Sequence, residues 1–310
     1  MALEAMIAAL GPEDEIVAFD DASTDNSVDI YRDFANRCPQ LRLIAKAQNQ
    51  GIIACMNEGL AEASHDILYF AASDDRVEAT FLDTMATLLG THPRAGLASC
   101  RTRIIDAEGH AHGVLQTPIV LGQPGFLPPE NVARAFMVDD NWLVWISTLY
   151  RRAPLEEAGG FRPELASFSD GFASRVVSMG HGACYAPEVL TSWRRMEEGY
   201  STSQSMDPSK VLEILENALD LMGGAHSAAF EPGYGARWKG RWLFGARYSA
   251  WCRRQEARHP QESASGPAKA MGALTRGVMG VMMFLRYRPR DIWTVIRRRL
   301  AYALEEKGGP

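Results

Sequence analysis

Residues 15–27 of the chain read EIVAFDDASTDNS. Glu15–Asp20 is a short apolar run of strand length, and it ends in two carboxylates, Asp20 and Asp21. Ser23–Asp25 is a polar turn able to cap a helix, and Val28, Tyr31, Phe34 and Cys38 then recur at helical spacing. The same alternation continues downstream. Leu41–Ala45 predicts a second strand, Ile52–Ala63 a helix opened by Gly51, and Asp66–Ala71 (DILYFA) a third strand. Phe81–Leu89 predicts a helix and Gly96–Ile105 a further strand. This βαβα rhythm predicts an α/β fold, a mostly parallel sheet with helices on both faces. Ligands of such sheets sit at the carboxyl ends of the strands. A second acidic pair, Asp74–Asp75, follows the third strand and falls at that edge.

Beyond residue 105 the pattern loosens. Residues 106–130, rich in Gly, Pro and His, read as a long loop or hairpin, and Trp142–Tyr150 as an apolar strand-like run. Phe168–Met179 predicts a helix closed by Gly180, and residues 182–195 a strand with a polar exit. From Pro208 onward the pattern is helical, with breaks near Gly223–Gly235 and His259–Pro267. A chain of 310 residues, 46% apolar and 23% charged, has enough core for one large domain with an appendage. The expected division is 1–205 for the α/β domain and 206–310 for a helical, basic region. Residues 1–230 hold 16 Lys/Arg against 32 Asp/Glu, a net of −16; residues 231–310 hold 16 against 6, a net of +10. The basic part suits anionic lipid, an acidic substrate or the acidic body of the same chain.

Five cysteines stand far apart with no C-x-x-C pair, which argues against a disulfide framework or a zinc site and suits a reducing cytosol. The start, MALEAMIAAL, has no basic leader region and reads as an amphipathic helix. No apolar stretch approaches the roughly 18 residues of a membrane span. The seven histidines form no ligand constellation; His110 and His112, two apart, read as solvated loop residues.

Two carboxylate pairs at neighbouring strand ends repel unless a cation or hydrogen-bond donors lie between them. Either both pairs are solvated loop charges, or Mg²⁺ or Mn²⁺ near Asp74 and Asp75 holds a nucleotide diphosphate through one or two carboxylates. Four longer segments bear on that choice. FDDASTDNS (19–27) resembles the "VDDGSTDNS" of glycosyltransferase family 2. NQGIIACMNEGLAEA (49–63) resembles its N-x-G-x-x-x-x-x-N-x-G-x-x-x-A, and ILYFAASDDR (67–76) its metal-binding D-x-D segment. GGFRPELASFSDGFASRVVSMGHG (159–182) resembles its acceptor-side segment. The four occur in the family's order and spacing.

The resemblance implies a GT-A (Rossmann-like) fold and an inverting transfer of a sugar from a nucleotide-diphosphate sugar to a glycan, lipid-linked or other hydroxyl acceptor. It implies that Asp20 and Asp21 contact the nucleoside, Asp21 the more directly. Asp74 binds the divalent cation and diphosphate, with Asp75 orienting ligands, and Arg194 and Arg195 lie over the diphosphate. Asp170 is the catalytic base, and Arg175 matches the family's arginine in that segment. Trp142 and Asp140 are candidates for the acceptor cleft; Trp142 and Trp145 suit sugar stacking and core packing equally. Surface-polysaccharide assembly in a bacterium is the implied setting, cytoplasmic or peripheral on the inner face of the membrane. Arg286, Arg288, Arg290 and Arg297–Arg299, interleaved with apolar residues, suit an interfacial helix or a helix packed on the body. No nucleic-acid recognition motif is present.

Three departures from the family pattern stand out. Ala72 replaces the first Asp of D-x-D, Ser169 precedes the base where the family has Glu, and the family's opening strand is expected to be missing. Two alternatives follow: a non-catalytic GT-A remnant that binds a glycan or partner, and a nucleotidyltransferase, which would carry a Gly-rich phosphate loop.

Overall fold

The computed structural model describes residues 2–196 and 208–258. They fall into two compact units that divide at Met196. The expected boundary at 205 and the arginine-rich stretch 286–304 lie outside the described residues.

The first unit opens with helix α1 (Ala2–Ala9), strand β1 (Ile16–Asp20), helix α2 (Ser27–Arg37) and strand β2 (Leu41–Ala45). β1 and β2 pair in parallel, Ile16 opposite Leu41 and Asp20 opposite Ala45, as a two-stranded sheet of their own. Helix α3 (Ile52–Glu62) leads to strands β3 (Ile67–Tyr69) and β4 (Arg76–Val77) and helix α4 (Phe81–Thr91). Next come β5 (Leu97–Ile105), β6 (Ala111–Val114), β7 (Gly125–Leu127), α5 (Pro129–Val138), β8 (Thr148–Arg151), α6 (Arg152–Glu157), α7 (Ser169–His181) and β9 (Ala183–Arg194). The second unit contains α8 (Pro208–Gly223) and α9 (Tyr234–Arg258).

The α/β architecture expected from the sequence is present, a central sheet flanked by helices, but the strand directions are mixed. β5 and β9 run parallel along their length and form the middle of a seven-stranded sheet. The outer edge of β5 pairs first with β8 and then with β6, and β3 pairs with the far side of β8; all three pairings are antiparallel. The outer edge of β9 pairs antiparallel with β7 and then with β4. Hydrophobic rhythm reports burial and period but not direction, so the hairpin return at β6 and the reversed β8 leave no trace in it. Two antiparallel steps, β3 to β8 and β8 to β5, make β3 parallel to β5 and β9. The carboxyl ends of β3, β5 and β9 therefore share one edge of the sheet. Among the described residues β1 and β2 pair only with each other and not with the seven-stranded sheet.

Three local readings change. The run 142–150 is a strand only from Thr148; Trp145–Ser147 is a 3₁₀ turn. α5 has no counterpart in the sequence reading, although Pro129 at its start is a favoured first-turn residue. α7 is closed by Gly182, not Gly180. Gly182 adopts φ +78°, and a Cβ there would lie 2.6 Å from the Leu127 carbonyl and the Phe126 ring.

α1 packs against both parts of the sheet. Its Leu3 and Ile7, with Leu10 just beyond it, meet Ala18, Cys38, Leu41 and the α2 residues Tyr31 and Phe34. Its Met6 and Ala9 meet Val77, Phe81, Met85, Leu89, Ala98 and Cys184 beneath the larger sheet. Phe81 is wholly buried and packs edge-on to Tyr69, ring centroids 5.0 Å apart. Truncating it leaves a void that close-packed neighbours fill only in part. Phe81→Ala is expected to cost about 3–5 kcal/mol, seen as a lower urea midpoint at unchanged slope.

Candidate active site

The acidic edge is assembled by one arginine. Arg194, the last residue of β9, is buried, and its guanidinium donates to three backbone carbonyls. Nε reaches Asp74 at 2.8 Å, and Nη1 reaches Asp106 and Ala107, each at 2.6 Å. Its backbone N–H donates to Asp75 Oδ1 at 2.7 Å. The exits of β3, β5 and β9 are thereby tied within the span of one side chain. The family-based expectation set Arg194 over a diphosphate; here its Nε and Nη1 donate to backbone carbonyls of the acidic turns and so position them. Arg195, the next residue, is exposed.

Asp74 and Asp75 differ although adjacent. Asp74 is exposed and its carboxylate has no partner among the hydrogen bonds of the described residues. Asp75 is buried, and its pKa is pushed up to about 7, chiefly because burial disfavours its charge; Asp74 adds to the rise and the Arg194 N–H opposes it. One open carboxylate at a strand exit fits a cation that takes its other ligands from water and phosphate oxygens. A second group stands on the β5–β6 turn. Ligand atoms of Asp106, Glu108 and His110 lie within 4.8 Å of one another, and His112 Nε2 is 2.8 Å from Asp106 Oδ2. The sequence reading left both histidines in solvent; the hairpin supplies the proximity that spacing alone does not reveal.

Asp20 and Asp21 leave β1 in different roles. Asp20 is buried and accepts the Ser23 N–H at 2.9 Å. Asp21 accepts two backbone N–H groups across the chain, Gln50 at 2.9 Å and Gly51 at 2.7 Å, and its own carbonyl accepts from the Asn49 amide at 3.1 Å. Burial pulls its pKa upward, but hydrogen bonds from Gln50, Gly51 and Cys55 outweigh that and hold the carboxyl below its ordinary range. Both oxygens are thus already spoken for by the start of α3. Ala22, where the family's motif has glycine, sits at φ +63°. This left-handed conformation costs an L-residue roughly 1–2 kcal/mol.

Asp170 lies in the first turn of α7. That helix ends at Gly182, whose carbonyl accepts the Gly96 N–H just before β5, and leads directly into β9. Asp170 is half-buried, and desolvation raises its pKa, opposed by the Gly171 N–H and by Arg175. Ala166, four residues before it, has φ +45°. Among described residues Ala22 and Ala166 are the non-glycine residues with positive φ; Ala22 follows Asp21 directly, and Ala166 lies one turn of chain before Asp170. Strained backbone of this kind concentrates at functional sites.

The acceptor candidates fare differently. Trp142 is 0% exposed, packed on Phe136 and Tyr185 with centroids 5.2 and 6.1 Å away; it is a core residue and offers no face to a sugar. Asp140 is also buried, its carbonyl accepting from Arg175 Nη2 at 2.6 Å and its carboxylate 3.7 Å from that group. It anchors the loop before β8 to α7. The tryptophan with surface is Trp145, half-buried beside Phe70 and Phe161.

The central sheet flanked by helices is that of the GT-A class. Solved structures share the fold. S. aureus TarS in complex with UDP-GlcNAc superposes with TM-score 0.59 at 17% identity, covering 80% of this chain and 67% of that one. The mannosyltransferase PcManGT from Pyrobaculum calidifontis in complex with GDP-Man and Mn²⁺ gives 0.56 at 20% identity, covering 99% and 82%. The model for "Glycosyl transferase family 2" matches residues 2–157, and the chain belongs to that family. An uncharacterized protein of Mycobacterium tuberculosis is 25% identical over 94% of this chain and 80% of its own length. The uncharacterized glycosyltransferase YibD of Escherichia coli is 34% identical over 86 residues, which span 28% of this chain and only 25% of that relative.

The raised pKa of Asp75 has a consequence for stability. The unfolded value is about 3.9 and the folded one about 7. Between them the folded state keeps a proton that the unfolded state has lost, so stability falls as pH rises through that window and is level above it. Asp75→Asn removes this part of the slope. Urea unfolding of both proteins without divalent cations from pH 4 to 8 checks it; a difference between them independent of pH contradicts it.

Proposed function

We propose that the chain is an inverting glycosyltransferase that moves a sugar from a nucleotide-diphosphate sugar to a hydroxyl of a glycan or lipid-linked acceptor. One observation carries this reading: an exposed carboxylate without a hydrogen-bond partner among the described residues, Asp74 at the exit of β3, and a half-buried carboxylate, Asp170 in the first turn of α7, come from different elements of the fold. Inversion requires attack from the face opposite the leaving group, so the groups serving the two sides must come from different parts of the chain. The raised pKa of Asp170 makes it a stronger base toward a hydroxyl than an ordinary aspartate.

Asp74 holds Mg²⁺ or Mn²⁺ together with the diphosphate, and the exposed Arg195 adds charge to that side. A bound cation supplies several kcal/mol of stabilisation to the developing negative charge of the leaving group. Asp75 and Arg194 keep the Asp74 turn in place, and Asp20 and Asp21 form the nucleoside end, Asp21 while bracing Gln50 and Gly51. The nucleotide-sugar complexes of the structural relatives support a donor of this class. The basic, apolar-interleaved sequence of 286–304 supports contact with a membrane surface carrying a lipid-linked acceptor; among the described residues no helix is long and apolar enough to cross a membrane. Ala72, in place of the first Asp of D-x-D, favours a second reading, a GT-A remnant that binds a glycan or partner without turnover.

Donor hydrolysis and transfer assays with a panel of nucleotide sugars and Mn²⁺ test the choice. Asp170→Asn is expected to lower turnover by about 10²–10⁴-fold while nucleoside-diphosphate affinity stays within twofold or so. Asp74→Ala is expected to weaken Mn²⁺-dependent nucleotide binding itself. Wild-type turnover in both variants would overturn the assignments, and absence of nucleotide binding in the wild type would point to the remnant. Because burial raises the Asp170 pKa, the acid limb of kcat is expected above the ordinary aspartate range and to vanish with Asp170→Asn.

A further inference from the structure

Two motifs recognised in the sequence meet in the fold at a residue to which neither assigned a task. Asn57, on the second turn of α3, donates from Nδ2 to the Phe161 carbonyl at 2.7 Å and accepts the Phe161 N–H on Oδ1 at 2.8 Å. The side-chain amide thus stands in for a strand partner, satisfying both backbone groups of a residue 104 positions away. The Gly159–Gly160 turn is shaped to allow this. Both glycines have positive φ, and a Cβ on Gly160 would lie 2.8 Å from Asn57 Oδ1.

What lies on either side of the clamp gives it meaning. On one side Asp21 grips the N–H groups of Gln50 and Gly51 at the head of α3. The far end of α3 is held by Arg152, whose guanidinium donates to the carbonyls of Leu60, Ala63 and His65. On the other side Phe161, 1% exposed, is the centre of an aromatic cluster. Its ring is edge-on to Phe70 at 4.8 Å, to Trp145 at 5.8 Å and to Tyr150 at 6.3 Å. Phe70 heads the segment that reaches Asp74, and Tyr150 feels the charge of Asp170.

We propose that Asn57 is a positioning residue for glycosyl transfer: its paired hydrogen bonds to Phe161 fix the nucleotide-side helix α3 against the turn that leads to Asp170, and so set the separation between bound donor and base. The proposal rests on the transferase reading above. Asn57 touches neither substrate nor reacting atoms; it acts through the placement of α3 and of the 159–170 segment. A shift of about 1 Å in such a placement lowers turnover on the order of 100-fold and leaves nucleotide contacts intact.

The test joins two measurements on the full chain. Hydrogen exchange in Asn57→Ala is expected to be about tenfold faster at Gly160, Phe161 and the first turn of α7, equivalent to one lost hydrogen bond, and unchanged at β1 and at Gln50–Gly51. Release of nucleoside diphosphate from UDP-GlcNAc and GDP-Man with Mn²⁺ is expected to show kcat down about 100-fold with donor KM within about threefold. Asn57→Asp keeps the volume and the bond from the Phe161 N–H but sets a charge against its carbonyl; it is expected to show the same split, and it serves if the alanine variant does not fold. Faster exchange at Phe161 with wild-type kcat would reduce the clamp to a structural contact and overturn the proposal, as would unchanged exchange there or a parallel loss of kcat, donor affinity and global stability. A wild type that releases no nucleoside diphosphate sinks the transferase reading itself, whereas an active wild type with an unaffected variant sinks this proposal alone.

Discussion

The buried guanidinium of Arg194, forked across the carbonyls of Asp74, Asp106 and Ala107, is the interaction on which the acidic edge depends. A buried cation must have its donors satisfied, because its desolvation cost is far above the net worth of one hydrogen bond. Carbonyl oxygens meet that need without neutralising the charge. The residual positive field lies beneath two turns that carry Asp74, Asp75, Asp106 and Glu108, where it offsets their mutual repulsion. The backbone N–H of the same residue holds Asp75 inward, and that leaves Asp74 as the outward carboxylate. A dipeptide of two identical residues is thereby divided into a buried strut and an exposed carboxylate.

The opposite half of the site is held by α3 in a comparable manner. The helix is fixed at its head by Asp21, in its middle by Asn57 and at its tail by Arg152, each contact made to backbone rather than to side chain. Backbone contacts resist rotation and sliding of the whole element, which side-chain packing alone does less well. Ala22 follows Asp21 directly and Ala166 lies four residues before Asp170, and both adopt positive φ. A rigid frame with two local departures from relaxed geometry suits a site that aligns two reactants.

Much of this was legible in the chain. β1, β2, α3, α4, β5 and β9 follow from apolar runs and their punctuation, because burial of one face dictates the period. Asp74 and Asp170 were reached through motif order and spacing. The antiparallel β8 was not, since reversal of a strand leaves its hydrophobic period unchanged. For Trp142 the sequence left cleft and core equal, because a tryptophan beside an acidic pair looks the same in either; its complete burial decides for the core. The Arg194 fork and the Asn57 clamp were illegible for a shared reason. Their partners are backbone atoms of distant segments, and backbone groups carry no sequence signature. The Asp106–His110 group escaped notice because its ligand atoms converge only once the β5–β6 hairpin has closed.

Two acidic turns a guanidinium's width apart leave one question at the centre of this account: which of them takes the cation. Crystals of the protein grown with a nucleoside diphosphate and Mn²⁺, measured for anomalous scattering from manganese, answer it directly. The account predicts a peak against the Asp74 carboxylate, bridged to the diphosphate, with the Asp170 carboxylate facing the same cavity from the other side. A peak confined to Asp106, Glu108 and His110, or an Asp170 side chain that opens into a separate cavity, would contradict it.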